Sequence, residues 1–160
     1  MKNIFLVITI AIFLFCGTAF AQTKQTDDEK AINAILLKAG QAWESGDMAK
    51  FTETLTDECV HVDPFGKVFT SRENIKTMLQ WVRDEIYKKE KVELEITETT
   101  TKFLNADTAI VVMKLKETVK NDSTSITITE TFMVSRVKNE WKISSFQGIE
   151  AKEPPKSPTK

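Results

Sequence analysis

Three titratable side chains carry the chemical interest of this sequence: His61, Asp63 and Glu130. His61 and Asp63 stand two residues apart, so on an extended chain they point the same way. In the stretch around Glu130, Ile126, Ile128, Phe132 and Val134 share one side of a strand, opposite Thr127, Thr129 and Thr131. Glu130 falls on the apolar side and is therefore directed inward. The last apolar stretch repeats the anomaly, with Ser145 and Gln147 in phase with Trp141 and Ile143. Sparse polar groups converging on an apolar concavity are how a small-molecule pocket reads in sequence. Carboxyls and an imidazole are also the side chains that most often take and give protons in general acid–base chemistry.

Each of these residues has a structural alternative. Glu130 pairs across the sheet with Lys114 or Lys116, or sits at the wet end of a two-sided strand. His61 is then a hydrogen-bonded structural histidine, and Asp63, before Pro64, starts a turn. Trp43 and Met78 serve equally well as core, and Trp81 as a partly exposed helix residue. Cys59 reads as a small apolar filler, because no basic neighbour in sequence lowers its pKa. Gly17, Gly40, Gly46, Gly66 and Gly148 form no phosphate cradle, and no Gly-x-Ser-x-Gly elbow exists. With one His and no acidic loop of calcium-binding spacing, neither a metal nor another cofactor is expected.

The elements that must position these groups follow from patterning. The 160 residues carry 22 Lys plus Arg against 23 Asp plus Glu, and 41% are hydrophobic, as in one ordinary globular domain. That balance argues against a nucleic-acid partner, which needs a clustered basic surplus. Lys2, the apolar run 4–16 and Ala19-Phe20-Ala21 make residues 1–21 a cleavable signal peptide, so the mature protein is expected to be secreted or periplasmic, free of the membrane. Bulky Phe15 disfavours a lipid anchor on Cys16, and the apolar run is short for a span. Cys16 leaves with the leader and Cys59 stays alone, so stability must come from a core. Residues 22–26 read as a flexible leader, 27–151 as the folded domain, and 152–160, with three prolines, as a disordered tail.

Within the domain, Ile32, Ile35, Leu36, Ala39 and Trp43 recur at helical spacing up to Gly46. Asp47 caps a short second helix carrying Met48, Phe51 and Leu55, and 59–63 forms a brief strand stopped by Pro64. A third helix starts from a Thr70/Glu73 capping box and buries Ile75, Met78, Leu79, Val82 and Ile86. The period then changes to two, predicting long strands from Val92 and over 108–119, 125–137 and 140–149, joined by tight turns. The fold class is α+β: a curved antiparallel sheet of four long strands plus a short strand, wrapped around three N-terminal helices.

That element order, with Ala42-Trp43-Glu44-Ser45-Gly46-Asp47 and Val60-His61-Val62-Asp63-Pro64-Phe65-Gly66, resembles the nuclear transport factor two-like superfamily, especially SnoaL-like proteins and steroid delta-isomerases. The resemblance spans Asp28 to about Glu150 and implies a cystatin-like cone. It implies a general base at Asp63, a protonated acid at Glu130 and a pocket-lining position at Gln147. The place of the family's oxyanion tyrosine holds Ala39, and the single tyrosine, Tyr87, lies at the far end of the third helix, leaving His61 as substitute donor. Burial disfavours an ionised Glu130 while Asp63, nearer the mouth, stays charged, so the two carboxyls divide acid and base duties. The candidate catalytic residues are Asp63, Glu130 and His61, and the candidate ligand-binding residues Trp43, Phe65, Met78, Trp81, Phe132, Ser145 and Gln147. The expected function is binding of a small apolar molecule, with isomerase- or dehydratase-type chemistry in view. The alternative is a non-catalytic binding or dimerisation module, and a homodimer is expected through the outer sheet face.

Overall fold

A computed structural model describes residues 26–87, 90–120 and 124–151. The expected signal peptide, all of the leader but Thr26, the Asn121-Asp122 turn and the tail 152–160 lie outside the described residues. The chain falls into two compact units, 1–34 and 35–160. The described part of the first is helical, and the second carries every strand described.

Helix α1 runs over 26–45 and stops at Gly46, whose φ of 73° is a backbone state that a side chain would strain. In its second-unit portion Leu36, Ala39 and Ala42 are buried, as the helical spacing requires. Asp47 caps α2 (Met48–Glu53) by accepting the Lys50 N–H at 3.0 Å. Helix α3 (Arg72–Trp81) is capped one residue later than the sequence suggests: Ser71 Oγ accepts the Asn74 N–H at 3.2 Å, while Thr70 ends a strand. A π-helical turn, Val82–Ile86, extends α3 and closes with Tyr87 N–H donating to the Val82 carbonyl at 3.0 Å.

The strands are β1 (Leu55–Val62), β2 (Val68–Thr70), β3 (Val92–Asn105), β4 (Thr108–Val119), β5 (Thr124–Val137) and β6 (Glu140–Glu150). They form one sheet in the order β2-β1-β6-β5-β4-β3. The α+β class and curved sheet stand, with two corrections. The sheet has six strands, because Val68–Thr70 folds back on β1, and β1 joins β6 in parallel. The long strands β3 to β6 make the expected antiparallel meander. Lys138 and Asn139, at φ 50° and 67°, form the two-residue turn whose twist matches its flanking strands.

One irregularity decides which side chains face the interior. Met133 pairs with Ser145 but Val134 pairs with Ile143, so Ser144 is an extra residue in β6, held by donating Oγ to the Met133 carbonyl at 3.1 Å. Side-chain alternation therefore reverses along β6. Trp141 and Ile143 are buried, and after the bulge Phe146, not Ser145 or Gln147, continues the buried face. Ile143 packs in a core with Leu55, Cys59, Ile75, Val111 and Val134, all fully buried. Removing its branched side chain leaves a void that this close-packed layer cannot refill. Ile143→Ala should lower unfolding free energy by about 2–5 kcal/mol, whereas the exposed Thr127→Ala should stay within about 0.5 kcal/mol, both read from urea titrations.

Candidate functional site

The second unit encloses a cavity of about 1340 Å³ with mainly aliphatic and aromatic walls. Strand β5 delivers Ile128, Glu130 and Phe132 to it from one face, as the two-residue alternation requires. Neither Lys114 nor Lys116 lines the cavity, and Lys114 pairs instead with Glu98 at 2.6 Å. Glu130 Oε2 is shut off from solvent and makes no hydrogen bond among the described residues. The carboxyl rests against Gly148, its partner on β6: a Cβ there would lie 2.9 Å from Glu130 Cδ. Glycine at 148 is thus the space the acid occupies. Burial, with a smaller contribution from the Glu117 charge, pushes the Glu130 carboxyl up to about 7.

Glu117 belongs to the site and is absent from the sequence expectation. Ala109, Val111, Met113, Leu115 and Glu117 are all buried on one face of β4, so the alternation that exposes Glu130 would also have found it. Its two oxygens are both engaged: Trp43 Nε1–H donates to Oε2 at 2.9 Å, and the Tyr87 hydroxyl donates to Oε1. Tyr87 reaches the cavity because the π-helical turn inserts a residue and stacks it over Val82, which also lines the wall. Its phenol is pushed up by burial and by Glu117, so it keeps its proton. The Trp43 and Tyr87 rings meet edge to face at 5.7 Å, and the buried Arg83 guanidinium lies 5.5 and 5.6 Å from their centroids. Arg83 does not line the cavity; its Nη2 donates to the Glu90 carbonyl at 2.9 Å. Arg83 follows the buried Ile75 and Leu79 at intervals of four, so helical spacing places it on the buried stripe, while Ile86, expected there, is exposed.

On the opposite side of the sheet order, His61 from β1 lines the cavity and is buried. Its ring stacks on Phe146 at 4.2 Å, and Nδ1 contacts the Phe146 carbonyl at 3.1 Å. A carbonyl only accepts, so Nδ1 carries the proton and Nε2 keeps a lone pair. Burial lowers the His61 pKa and holds the ring neutral. Asp63 also lines the cavity, with Oδ1 accepting the Phe65 and Lys67 N–H groups at 2.9 and 2.8 Å. The turn reading and the site reading of Asp63 are therefore compatible.

Of the expected ligand-binding residues, Trp43, Phe65, Met78, Trp81 and Phe132 line the cavity. Phe65, 94% exposed, and Trp81, 56% exposed, belong to its rim. Ser145 and Gln147 do not line it, because the Ser144 bulge turns them to the other face. Cys59 is buried core, and burial pushes its thiol up to about 12. Among the described residues, no cluster of His, Cys, Asp and Glu is arranged to hold a metal ion, and no helix is long and apolar enough to cross a membrane.

The family described as a SnoaL-like domain matches residues 32–148. Comparison with curated proteins finds no match. Among solved structures, a domain of unknown function with a cystatin-like fold from Nostoc punctiforme gives a TM-score of 0.70 at 18% identity, covering 80% of this chain and 80% of that one. An NTF2-like protein with a cystatin-like fold from Novosphingobium aromaticivorans gives 0.70 at 13%, covering 80% and 84%. A hexachlorocyclohexane dehydrochlorinase from Novosphingobium barchaimii gives 0.67 at 13%, covering 81% and 90%. At these identities the likeness shows the fold.

The raised Glu130 pKa has a stability consequence of definite sign. The folded chain holds this proton to about 7 and the unfolded chain loses it near 4.5, so its contribution is complete below 4.5 and is lost as pH rises to about 7. Glu130→Gln removes this loss. Its stability relative to wild type should therefore improve between pH 4.5 and 7 by up to the order of 3 kcal/mol, measured by urea unfolding across that range.

Proposed function

This chain belongs to the SnoaL-like domain family, and on that footing we propose that it binds a small, largely apolar molecule in the cavity of its second unit. One observation carries the reading: the Glu130 carboxyl lies, without a partner among the described residues, in the wall of an apolar hollow of about 1340 Å³. A buried polar group left unbonded costs on the order of 1–3 kcal/mol, a cost that a ligand hydrogen bond would offset. The rim supports the same reading. Leu37, Val68, Trp81 and Ile86 line the cavity yet remain more than half exposed, a surface suited to admitting an apolar body.

Acid–base turnover is the finer part of the proposal. Glu130 supplies a proton and neutral His61 Nε2 an acceptor, with Asp63 as the second candidate base through its free Oδ2. The dehydrochlorinase among the structural neighbours shows that this fold carries chemistry in at least one protein. Export directed by residues 1–21, and pairing of two chains through the outer face of β5, where Thr127 and Met133 are exposed, complete the proposed setting.

The binding claim is checked with a neutral solvatochromic dye and a panel of apolar ring compounds as competitors. Wild type should give a blue-shifted, displaceable signal, and Phe132→Asp should weaken it at least about tenfold by wetting the wall. If neither dye nor ring compound binds, the cavity reading fails. For a compound that is turned over, His61→Gln or Asp63→Asn should lower turnover by about 10²-fold or more with binding retained, and the variant that does so identifies the base.

A further inference from the structure

We propose that the ligand of this cavity is a lipophilic amine, held as its ammonium ion by the Glu130 carboxylate. The inference rests on the cavity being a ligand site and adds the chemical class of the ligand.

A count of donors on the polar wall leads there. Trp43 and Tyr87 each bring one hydrogen-bond donor to this wall, and both give it to Glu117, one to each oxygen. What those residues still offer a ligand is the Tyr87 oxygen and the remaining lone pairs of Glu117, all acceptors. Glu130 adds two carboxyl oxygens, and its Oε2 has no donor among the described residues. Among Trp43, Tyr87, Glu117 and Glu130, the proton left for a ligand is the one on Glu130 itself; the donors of Gln41, Lys67, Thr70, Asn74 and Thr77 lie elsewhere in the lining. The wall is thus built to receive hydrogen bonds, which suits a ligand rich in N–H groups better than a carbonyl.

Charge points the same way. Glu44, Asp63, Glu117 and Glu130 line the cavity against Lys67 alone. Glu44 accepts the Leu94 N–H at 2.8 Å and Asp63 is engaged in its turn. Arg83 lies over the Trp43 and Tyr87 rings, 5.5 and 5.6 Å from their centroids, and does not line the cavity. Among the described residues Glu130 is left with neither an ion pair nor a hydrogen bond. An anionic ligand would meet a field of its own sign, and a neutral one would leave the carboxyl without a counter-charge. An ammonium ion supplies both the charge and up to three donors. Phe132, Trp43 and Tyr87 also line the cavity, and the latter two rings already hold the Arg83 cation near them.

The pH dependence distinguishes this ligand from a neutral one. Glu117 on β4 and Tyr87 beyond the π turn act electrostatically together with Glu130, Gly148 on β6 brings no side chain, and His61, Asp63, Lys67 and Glu44 complete the titratable wall. An ammonium ion gains as Glu130 ionises, whereas a hydrogen-bond acceptor gains while Glu130 keeps its proton.

Pyrenemethylamine, pyrenemethanol and pyrenecarboxylate share one apolar body and differ in the end group, so their fluorescence anisotropy with the full chain tests the proposal. At about pH 8 the amine should bind on the order of tenfold more tightly than the alcohol, with the carboxylate weakest. At about pH 5.5 that preference should shrink to roughly twofold. Glu130→Gln should abolish the preference at about pH 8 by bringing the amine down to the alcohol. Equal binding of alcohol and amine to wild type at the higher pH overturns the amine proposal and leaves the cavity reading standing, as does a preference that survives Glu130→Gln. Failure of all three compounds to bind removes the cavity reading itself, and the amine proposal with it.

Discussion

A carboxyl set in an apolar cavity wall with no hydrogen bond among the described residues is the constraint around which this site is arranged. Removing a carboxylate from water costs several kcal/mol even after relaxation, so the group responds by keeping its proton, which is why Glu130 titrates near neutrality. The fold holds it there because β5 is anchored on both sides, by β4 and β6, and cannot rotate one residue without exposing Ile128 and Phe132 as well. Gly148 completes the arrangement by leaving room for the carboxyl directly across the ladder. A structural role alone would favour an apolar residue at 130, since well-packed hydrophobic replacements are often more stable than buried charge. The cost therefore points to use.

Glu117 shows what a buried acid looks like when the protein itself satisfies it. One oxygen is bonded by Trp43 from α1 and the other by Tyr87 from beyond α3, so the same carboxylate ties two helices to β4. Arg83 stacks near both rings from behind, and the assembly fixes the polar end of the cavity by hydrogen bonds and ring contacts together. Two acids in one hollow thus have opposite surroundings, one clothed in donors and one bare. Their mutual repulsion reinforces the difference, because a Glu117 charge already in place raises the cost of ionising Glu130.

Period-two patterning made the sheet and its inward acid legible, because β4 and β5 run regularly and each residue's face follows from its neighbour's. Glu117 was equally legible by that rule. The residues that escaped sit where regularity breaks. Ser145 and Gln147 face away because one extra residue, Ser144, reverses the phase of β6, and bulges carry no composition signal that separates them from ordinary strand. Tyr87 is far from Trp43 in sequence and lies past the last helical stripe, yet a π turn brings both onto the same carboxylate. The cap shifted from Thr70 to Ser71 for a related reason: both hydroxyls suit the role, and the pairing of Val68–Thr70 with β1 decided between them.

His61 and Glu130, on the strands either side of β6, differ in how they hold protons, and that difference bears on what the site can do. His61 is fixed in one tautomer by the Phe146 carbonyl and is kept neutral by burial, so its free nitrogen accepts a proton without first having to lose one. Glu130 retains its proton up to about pH 7. While Glu130 keeps its proton, this acid and this base add no charge of their own to a cavity that Glu44, Asp63 and Glu117 already make acidic. Further charge appears when a ligand enters and exchanges a proton with one group or the other. Asp63 has no such economy: it is tied into its turn by two N–H groups, so using it as a base would draw on a carboxylate that the Asp63 to Lys67 turn already needs. Geometry thus favours His61 as proton acceptor, while the Asp-Pro-Phe-Gly turn positions the exposed Phe65 at the rim.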